Sequence, residues 1–335
     1  MVGNYAGYSC TKIGPYKMIY GVYACNDLDL KKFFGPVVDT IPGLTMYDPS
    51  QVPDPNLITV ALAWRPGMGD LGRYPNLRLV QSIAAGVDGI LADQSLPKDV
   101  VITRVRDQGQ AQMMAGFAAF HVLWHHRKMG IYVQSQREHR WKRFAFSKMQ
   151  PPHSVHVGVL GYGHMGQAVA HGCVALGYQV SAACRYGSVA NDQGNGGVEV
   201  KSGSSAISEV AAKSDILINV LPLTDETLGV LNAKLFSIMP EGAALVHLGR
   251  GEHLVEDDLI AVLDSGHLSG ASLDVFVEEP LPPSHPFWSH PKIFLTPHEA
   301  SVVPAQSVAD AFKMGLTSLR NGSAHQAIVQ RDRGY

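Results

Sequence analysis

The sequence predicts an α/β protein with two doubly wound parallel sheets, and three observations carry that reading. Short apolar runs alternate with helix-compatible stretches along most of the chain, the order expected of parallel strands joined by crossover helices. At 335 residues the chain exceeds what one compact core holds, so two domains are expected. The apolar run Val155 to Leu160 feeds a G-x-G-x-x-G turn at Gly161, Gly163 and Gly166, followed by a helical pattern through Ala168, Val169, Cys173 and Leu176. In such a turn the first glycine lets the chain reverse sharply and the second admits a pyrophosphate to the backbone. The third lets helix and strand pack closely, and the helix N-terminus presents free N–H groups to the phosphates. With 34 glycines in the chain the spacing alone is weak, and a glycine-rich turn that binds nothing would share it. Its place between a strand and a helix gives it weight.

Composition narrows the function classes. Apolar residues make up 46% and charged residues 17%, as in a soluble globular protein, and the net charge of −2 gives no reason to expect nucleic acid or an anionic membrane as partner. The first thirty residues lack a secretory apolar core and no apolar run reaches the length of a membrane span, so the cytoplasm is the expected location. Cys10, Cys25, Cys173 and Cys184 form no C-x-x-C pair and no metal-ligand spacing, so they read as free thiols and no metal is expected.

Taken in order, residues 1 to about 16 form a Gly/Tyr/polar leader, and Met18 to Tyr23 is the first strand. A helix is expected to start at Asp27, capped by Asn26 or Asp27. Ile58 to Ala63, Leu79 to Ala84 and Val100 to Val105 are further strands, the first two ending at Trp64-Arg65-Pro66-Gly67 and Ala85-Gly86-Val87-Asp88. Asp107 to Arg140 is a long helical pattern broken near Gly130 and rich in bulky apolar groups, which fits either a core helix or an oligomer interface. After the glycine turn come a strand from Tyr178 to Cys184, a Gly/Ser/Asn-rich loop from Tyr186 to Ser205, and a strand from Asp215 to Leu221. A capped helix is expected over Thr224 to Met239. The strands Ala243–Leu248, Ser269–Phe276 and Ile293–Thr296 follow, with a helix from Glu256 to Leu263.

Ligands of open α/β sheets collect beyond the carboxyl ends of the strands. Arg250, Glu279 and His298 follow three such ends. A guanidinium grips a carboxylate through two parallel hydrogen bonds, and a histidine exchanges a proton near neutral pH, its protonated form favoured by a neighbouring carboxylate. With a nicotinamide cofactor this set suits reduction of a 2-oxo acid, although each residue alone has an ordinary structural reading.

Four segments carry a family resemblance: Gly161-Tyr162-Gly163-His164-Met165-Gly166, Leu248-Gly249-Arg250-Gly251, Leu273 through Leu281, and Thr296-Pro297-His298-Glu299-Ala300. Together they resemble the D-isomer-specific 2-hydroxyacid dehydrogenase family over nearly the whole chain after the leader. Within it, Glu279-Pro280-Leu281-Pro282-Pro283, Leu259 to Gly266 and the closing Arg331-Asp332-Arg333-Gly334-Tyr335 are most similar to the bacterial glyoxylate/hydroxypyruvate reductases of type A. The resemblance implies a Rossmann-type cofactor domain, residues 106–299 with a dimerisation helix, inserted into a flavodoxin-like substrate domain made of residues 1–105 and 300–335. A C-terminal helix at about 302–320 completes that first domain. It implies that Arg250 binds the substrate carboxylate and polarises its carbonyl, that His298 donates the proton, and that Glu279 orients the imidazole. Trp64, Arg65 and the backbone of Ala85, Gly86 and Val87 would join Arg250 and His298 in holding substrate, and Trp141 would reach the active site of the partner in a homodimer. Gly161, Gly163, His164, Met165, Gly166, Arg185, Tyr186, Leu221, Pro222, Thr227 and Gly249 would line the cofactor, with Asp274 at the nicotinamide carboxamide.

Two departures stand out. The family usually has Asn three residues before its catalytic arginine, and this chain has His247. A site that prefers NADH needs a carboxylate near the end of the second strand, where this chain reads Ala183-Cys184-Arg185-Tyr186. The expected cofactor is therefore NADPH, with NADH weaker, and the expected substrate a small 2-oxo acid such as glyoxylate or hydroxypyruvate. A reductase for bulkier 2-oxo acids, and a dinucleotide-sensing scaffold or co-repressor on the same fold, stay open as alternatives.

Overall fold

The computed structural model describes residues 18–141, 143, 149–185, 196–323 and 327–334; the leader and Tyr186 lie outside the described residues. The chain divides into two compact units, one running to Asp107 and resuming at Val303, the other Gln108–Val302.

The first unit holds a five-stranded sheet of β1 (Ile19–Ala24), β2 (Leu44–Tyr47), β3 (Ile58–Ala63), β4 (Leu79–Ser82) and β5 (Val101–Thr103). Their order is β2-β1-β3-β4-β5 and every pairing is parallel, which is the flavodoxin-like arrangement. Both faces are covered, as a parallel sheet requires: Val60 and Leu62 join one apolar layer, Ala61 and Ala63 the other. The first layer includes Val308, Phe312, Leu316 and Leu319, spaced to form one stripe of the C-terminal helix α9 (Ala305–Asn321). Gly322 ends that helix at φ +63, in the left-handed region where a glycine carries no Cβ penalty. The sequence reading places the start of α1 too early. The helix is Leu30–Val38, because the Asp29 carboxylate, not Asn26 or Asp27, accepts the Lys32 N–H at 2.9 Å and caps it. The four-residue edge strand β2 is too short for its alternation to be read from the sequence.

The second unit holds a seven-stranded parallel sheet: β6 (His156–Leu160), β7 (Gln179–Cys184), β8 (Val198–Ser202), β9 (Ile216–Asn219), β10 (Ala243–His247), β11 (Leu268–Leu273) and β12 (Ile293–Leu295). The order β12-β11-β10-β9-β6-β7-β8 puts the strand before the glycine turn in the sheet interior, third from one edge, where the chain reverses its winding direction. This is the Rossmann order with one further strand. Leu217 and Leu245 face one apolar layer, while Ile216, Ile218 and Val246 face the other.

Three local expectations are corrected in this unit. Strand β8 lies in the segment read as loop; it is short, but Val180↔Val198 and Ala182↔Val200 pair in register on β7. The helix expected over Thr224–Met239 is confined to α7 (Ala233–Ile238), capped by Asn232. The preceding residues are drawn into turns because Gly229 and Leu231 donate their N–H groups to the carbonyls of Glu252 and His253, and Gly229 sits at φ +60. The break in the long helical segment falls at Lys128, φ +53, between α3 (Gln108–His126) and α4 (Met129–Arg137), rather than at Gly130. A further short helix, α6 (Ala206–Ala211), fills the connection from β8 to β9. Among the described residues no helix is long and apolar enough to cross a membrane.

Helix α3 buries Ala111, Ala118 and Val122 while leaving Phe120 and Leu123 exposed, so it serves the core and also presents an apolar outer face. It also carries two histidines on its inner side, His121 buried and His125 partly so. His125 Nε2 lies 2.8 Å from Ser272 Oγ on β11, and His121, packed among Phe117, Phe120 and Phe294, has no hydrogen-bond partner for either ring nitrogen among the described residues. Burial pushes His121 down to about 4; burial and then the neighbouring His121 push His125 down to about 3. The folded protein thus refuses protons that the unfolded chain accepts, so stability is full above the ordinary histidine value and falls as pH drops below it. Replacing His121 by Leu should remove the two unpartnered nitrogens and shrink the stability difference between pH 7.5 and pH 5, read by urea unfolding, by about 2 kcal/mol. A pH dependence identical to that of the parent protein would show that His121 titrates normally in the fold.

Candidate active site

The glycine turn joins β6 to α5 (His164–Ala175). Gly161 has φ +98, and a Cβ there would come within 2.9 Å of the Val220 carbonyl oxygen. A Cβ on Gly166 would sit 1.8 Å from the Gly161 carbonyl, so only glycine allows this contact of helix and strand. At Gly163 a Cβ would meet nothing within 4 Å. The turn is therefore closed behind and open in front, against the first N–H groups of a twelve-residue helix, and it fits an anionic diphosphate. His164 and Met165 occupy the first helical turn.

Arg250, Asp274, Glu279 and His298 all follow the carboxyl ends of the neighbouring strands β10, β11 and β12. Gly251 brings the first of these segments against the second, since a Cβ there would lie 2.0 Å from the Phe276 carbonyl carbon. Glu279 is fixed from the same stretch: its Oε1 accepts the Phe276 N–H at 3.1 Å. The carboxylate in turn meets His298 Nδ1 at 2.9 and 3.1 Å. Nδ1 must carry a proton to donate to it, which leaves Nε2 as the ring nitrogen open to a ligand.

Asp274 has an occupation that the sequence did not disclose. Its side chain is buried; Oδ1 accepts Thr296 Oγ1–H at 2.6 Å and the Glu299 N–H at 2.9 Å, and Oδ2 accepts the Ala300 N–H at 3.0 Å. The His298 N–H donates to the Asp274 carbonyl at 2.8 Å. These bonds hold the turn in which His298 takes the left-handed conformation, φ +58.

Behind Arg250 lies a buried polar group that was only half visible in the sequence. His247, in the place of the family's usual Asn, is fully buried, and its Nδ1 lies 3.2 Å from Asn219 Nδ2. The same amide nitrogen is 3.0 Å from His253 Nδ1, which also accepts the Arg250 N–H at 3.1 Å. Asn219 and His253 were missed because neither is remarkable in sequence; the one signal was their position at a strand end and three residues past Arg250.

The Leu221 N–H binds Asn219 Oδ1 at 3.2 Å, the Pro222 carbonyl accepts from Thr227 Oγ1 at 2.8 Å, and Gly249 packs so closely that a Cβ would meet His253 Nδ1 at 2.8 Å. Arg185 directly follows β7, and the fold supplies the acid missing from its sequence neighbourhood: Glu226, 41 residues away, forms an ion pair with it. Trp141 is 90% exposed.

In the first unit, Trp64 and Arg65 follow β3, with Arg65 at φ +39 and its guanidinium 5.6 Å from the Trp64 ring centroid. The Ala85-Gly86-Val87 turn follows β4 and is shaped by Ser82, whose Oγ donates to the Gly86 carbonyl at 2.8 Å and accepts the Ala84 N–H at 3.1 Å. Among the described residues no group of three or more His, Cys, Asp or Glu is placed to hold a metal ion.

Residues 119–300 match the family model described as D-isomer specific 2-hydroxyacid dehydrogenase, NAD binding domain. The glyoxylate/hydroxypyruvate reductase A of Serratia proteamaculans is 36% identical over 283 residues, covering 82% of this chain and 87% of that protein. A D-isomer specific 2-hydroxyacid dehydrogenase from Xanthobacter autotrophicus, solved in complex with NADPH and MES, superimposes with a TM-score of 0.85 at 33% identity, over 95% of this chain and all of that one. The NADPH-dependent glyoxylate/hydroxypyruvate reductase of Sinorhizobium meliloti, solved with NADP and sulfate, gives 0.83 at 28% identity over 95% of this chain and all of that one. A match of this extent, on a chain whose two sheets have the strand orders described above, places the protein in the D-isomer specific 2-hydroxyacid dehydrogenase family.

Proposed function

We propose that this protein reduces a small 2-oxo acid of the glyoxylate/hydroxypyruvate class to the D-2-hydroxy acid with NADPH. The observation that carries the reading is the His298–Glu279 pair set beside the Arg250 segment at the carboxyl edge of one sheet. The names of the relatives support the substrate class. In this reading the second unit holds the dinucleotide and the first is the substrate domain. The nicotinamide supplies a hydride when bound. Arg250 binds the substrate carboxylate in its planar fork and draws electron density from the adjacent carbonyl. His298 delivers a proton from Nε2 to the carbonyl oxygen, and the Glu279 carboxylate stabilises the imidazolium through Nδ1. The free thiols of Cys25 and Cys173 fit a reducing cytosol.

Steady-state assays with glyoxylate, hydroxypyruvate and bulkier 2-oxo acids test the activity. His298→Ala should lose about 10²–10⁴ in kcat, the usual contribution of a general acid. A variant within threefold of the parent would remove the proton-donor role, and no turnover of any 2-oxo acid would remove the reading altogether.

Cofactor preference depends on Arg185. Its exposed pair with Glu226 is of a kind worth about 0.2–1 kcal/mol, whereas a charge-assisted bond to a ribose 2′-phosphate is worth about 1.5–3 kcal/mol, so the phosphate wins the guanidinium. With the cost of giving up that pair subtracted, NADPH should be favoured about two- to a hundredfold in kcat/KM. Arg185→Ala should erase most of that preference; a preference left intact would clear Arg185 of the role.

We also propose a homodimer built on α3, whose exposed Phe120 and Leu123, together with Trp141, support it. Light scattering should give twice the chain mass, and a fully active monomer would overturn the assembly.

A further inference from the structure

The polar group behind Arg250 has no part in the roles assigned so far, yet its hydrogen bonds allow only one proton arrangement. The Pro222 carbonyl can only accept, so His253 Nε2, 3.2 Å away, carries the ring proton. His253 Nδ1 is therefore a bare acceptor, shared by the Arg250 N–H at 3.1 Å and Asn219 Nδ2 at 3.0 Å. The orientation of Asn219 is equally determined, because its Oδ1 accepts the Leu221 N–H at 3.2 Å. Its amide nitrogen then has one hydrogen for His253 and one for His247 Nδ1 at 3.2 Å. Both imidazoles must be neutral for this to hold. Burial, and then the neighbouring His253, keep His247 far below the ordinary histidine range, at about 3.

The arrangement bears directly on the guanidinium. Arg250 Nη1 donates to the Gly249 carbonyl at 2.9 Å, so the side chain is folded back onto the main chain that His253 fixes. The main chain has little room to shift, since a Cβ on Gly249 would already lie 2.8 Å from His253 Nδ1 and 2.9 Å from Asn219 Nδ2. We infer that His253 is the positioning residue for Arg250, with Asn219 holding its Nδ1 as an acceptor. The inference rests on the reading of Arg250 as the group that binds the substrate carboxylate. Reactions of positioned groups are sensitive to displacements of about 1 Å, which cost on the order of a hundredfold.

Two substitutions of His253 separate positioning from general support. His253→Asn and His253→Leu both lose the bond to Pro222, but an asparagine Oδ1 lies where Nδ1 lay and keeps the acceptor for Arg250. Steady-state kinetics with glyoxylate and NADPH are expected to place the Asn variant within threefold of the parent protein. The Leu variant should fall at least tenfold below it in kcat/KM, with a raised KM for glyoxylate. Calorimetric titration with oxalate, as an unreactive carboxylate probe, should show the same tenfold separation in Kd. Equal kinetics and equal oxalate affinity in the two variants would overturn the inference.

Should the Leu variant not fold, Asn219→Asp carries the test. An oxygen in place of Nδ2 draws a proton onto His253 Nδ1 and takes that acceptor from Arg250, so the same loss is expected, and parent-like kinetics would overturn the inference. Arg250→Lys tells the two levels apart. Undiminished turnover and oxalate binding in that variant would remove the reading of Arg250 itself. A damaged Arg250→Lys beside indistinguishable Asn and Leu variants would remove only the role of His253.

Discussion

The buried carboxylate of Asp274 is the interaction on which the site most depends. Taking an ionised carboxylate out of water costs several kcal/mol unless it is hydrogen-bonded, and here a hydroxyl and two backbone N–H groups approach its oxygens within 3.0 Å. Hydrogen bonds to a charged group contribute about 1.5–3 kcal/mol each. Holding His298 in the left-handed region costs about 1–3 kcal/mol. The bonds outweigh the strain, so the turn after β12 has one stable form, and in that form the imidazole meets Glu279. A residue at the end of β11 thus decides where a side chain beyond the end of β12 can act.

The same economy of space appears at the glycines. Gly166 lets α5 touch the backbone of Gly161, and Gly251 lets the Arg250 segment touch Phe276–Val277. In each case a single methyl group would overlap main-chain atoms that cannot move aside. The first contact sets the open face of the glycine turn; the second sets the spacing between the arginine segment and the segment that carries Glu279. Both act at the carboxyl edge of the second sheet, where neighbouring strands deliver their loops to one side.

Electrostatics in this unit divides by burial. Arg185 and Glu226 are exposed, so their pairing is weak and exchangeable. The histidines of the interior behave oppositely. His121, His125 and His247 are held neutral by burial, and at Asn219 the orientation of the amide makes Nδ1 of His247 the acceptor.

The sequence by itself determined the strand–glycine–helix unit, the limits of β3 and, to within a residue, the strands β6, β7 and β10, because side-chain periodicity and glycine spacing are local properties. It also located Arg250, Glu279 and His298, since each follows a strand end recognisable by its apolar run. It was misled over Thr224–Met239, where the turn signal at Gly229 was overridden by the helical residues around it, and over β8, whose short alternation sits beside a glycine-rich stretch. Only the tertiary structure decided which distant groups meet: Glu226 with Arg185, Thr296 and Ala300 with Asp274, Asn219 with His247 and His253. The physical reason is that such pairs lie on different strands and loops. No local pattern encodes their distance, which is fixed by how the strands pair and how closely the glycines let the chain pack.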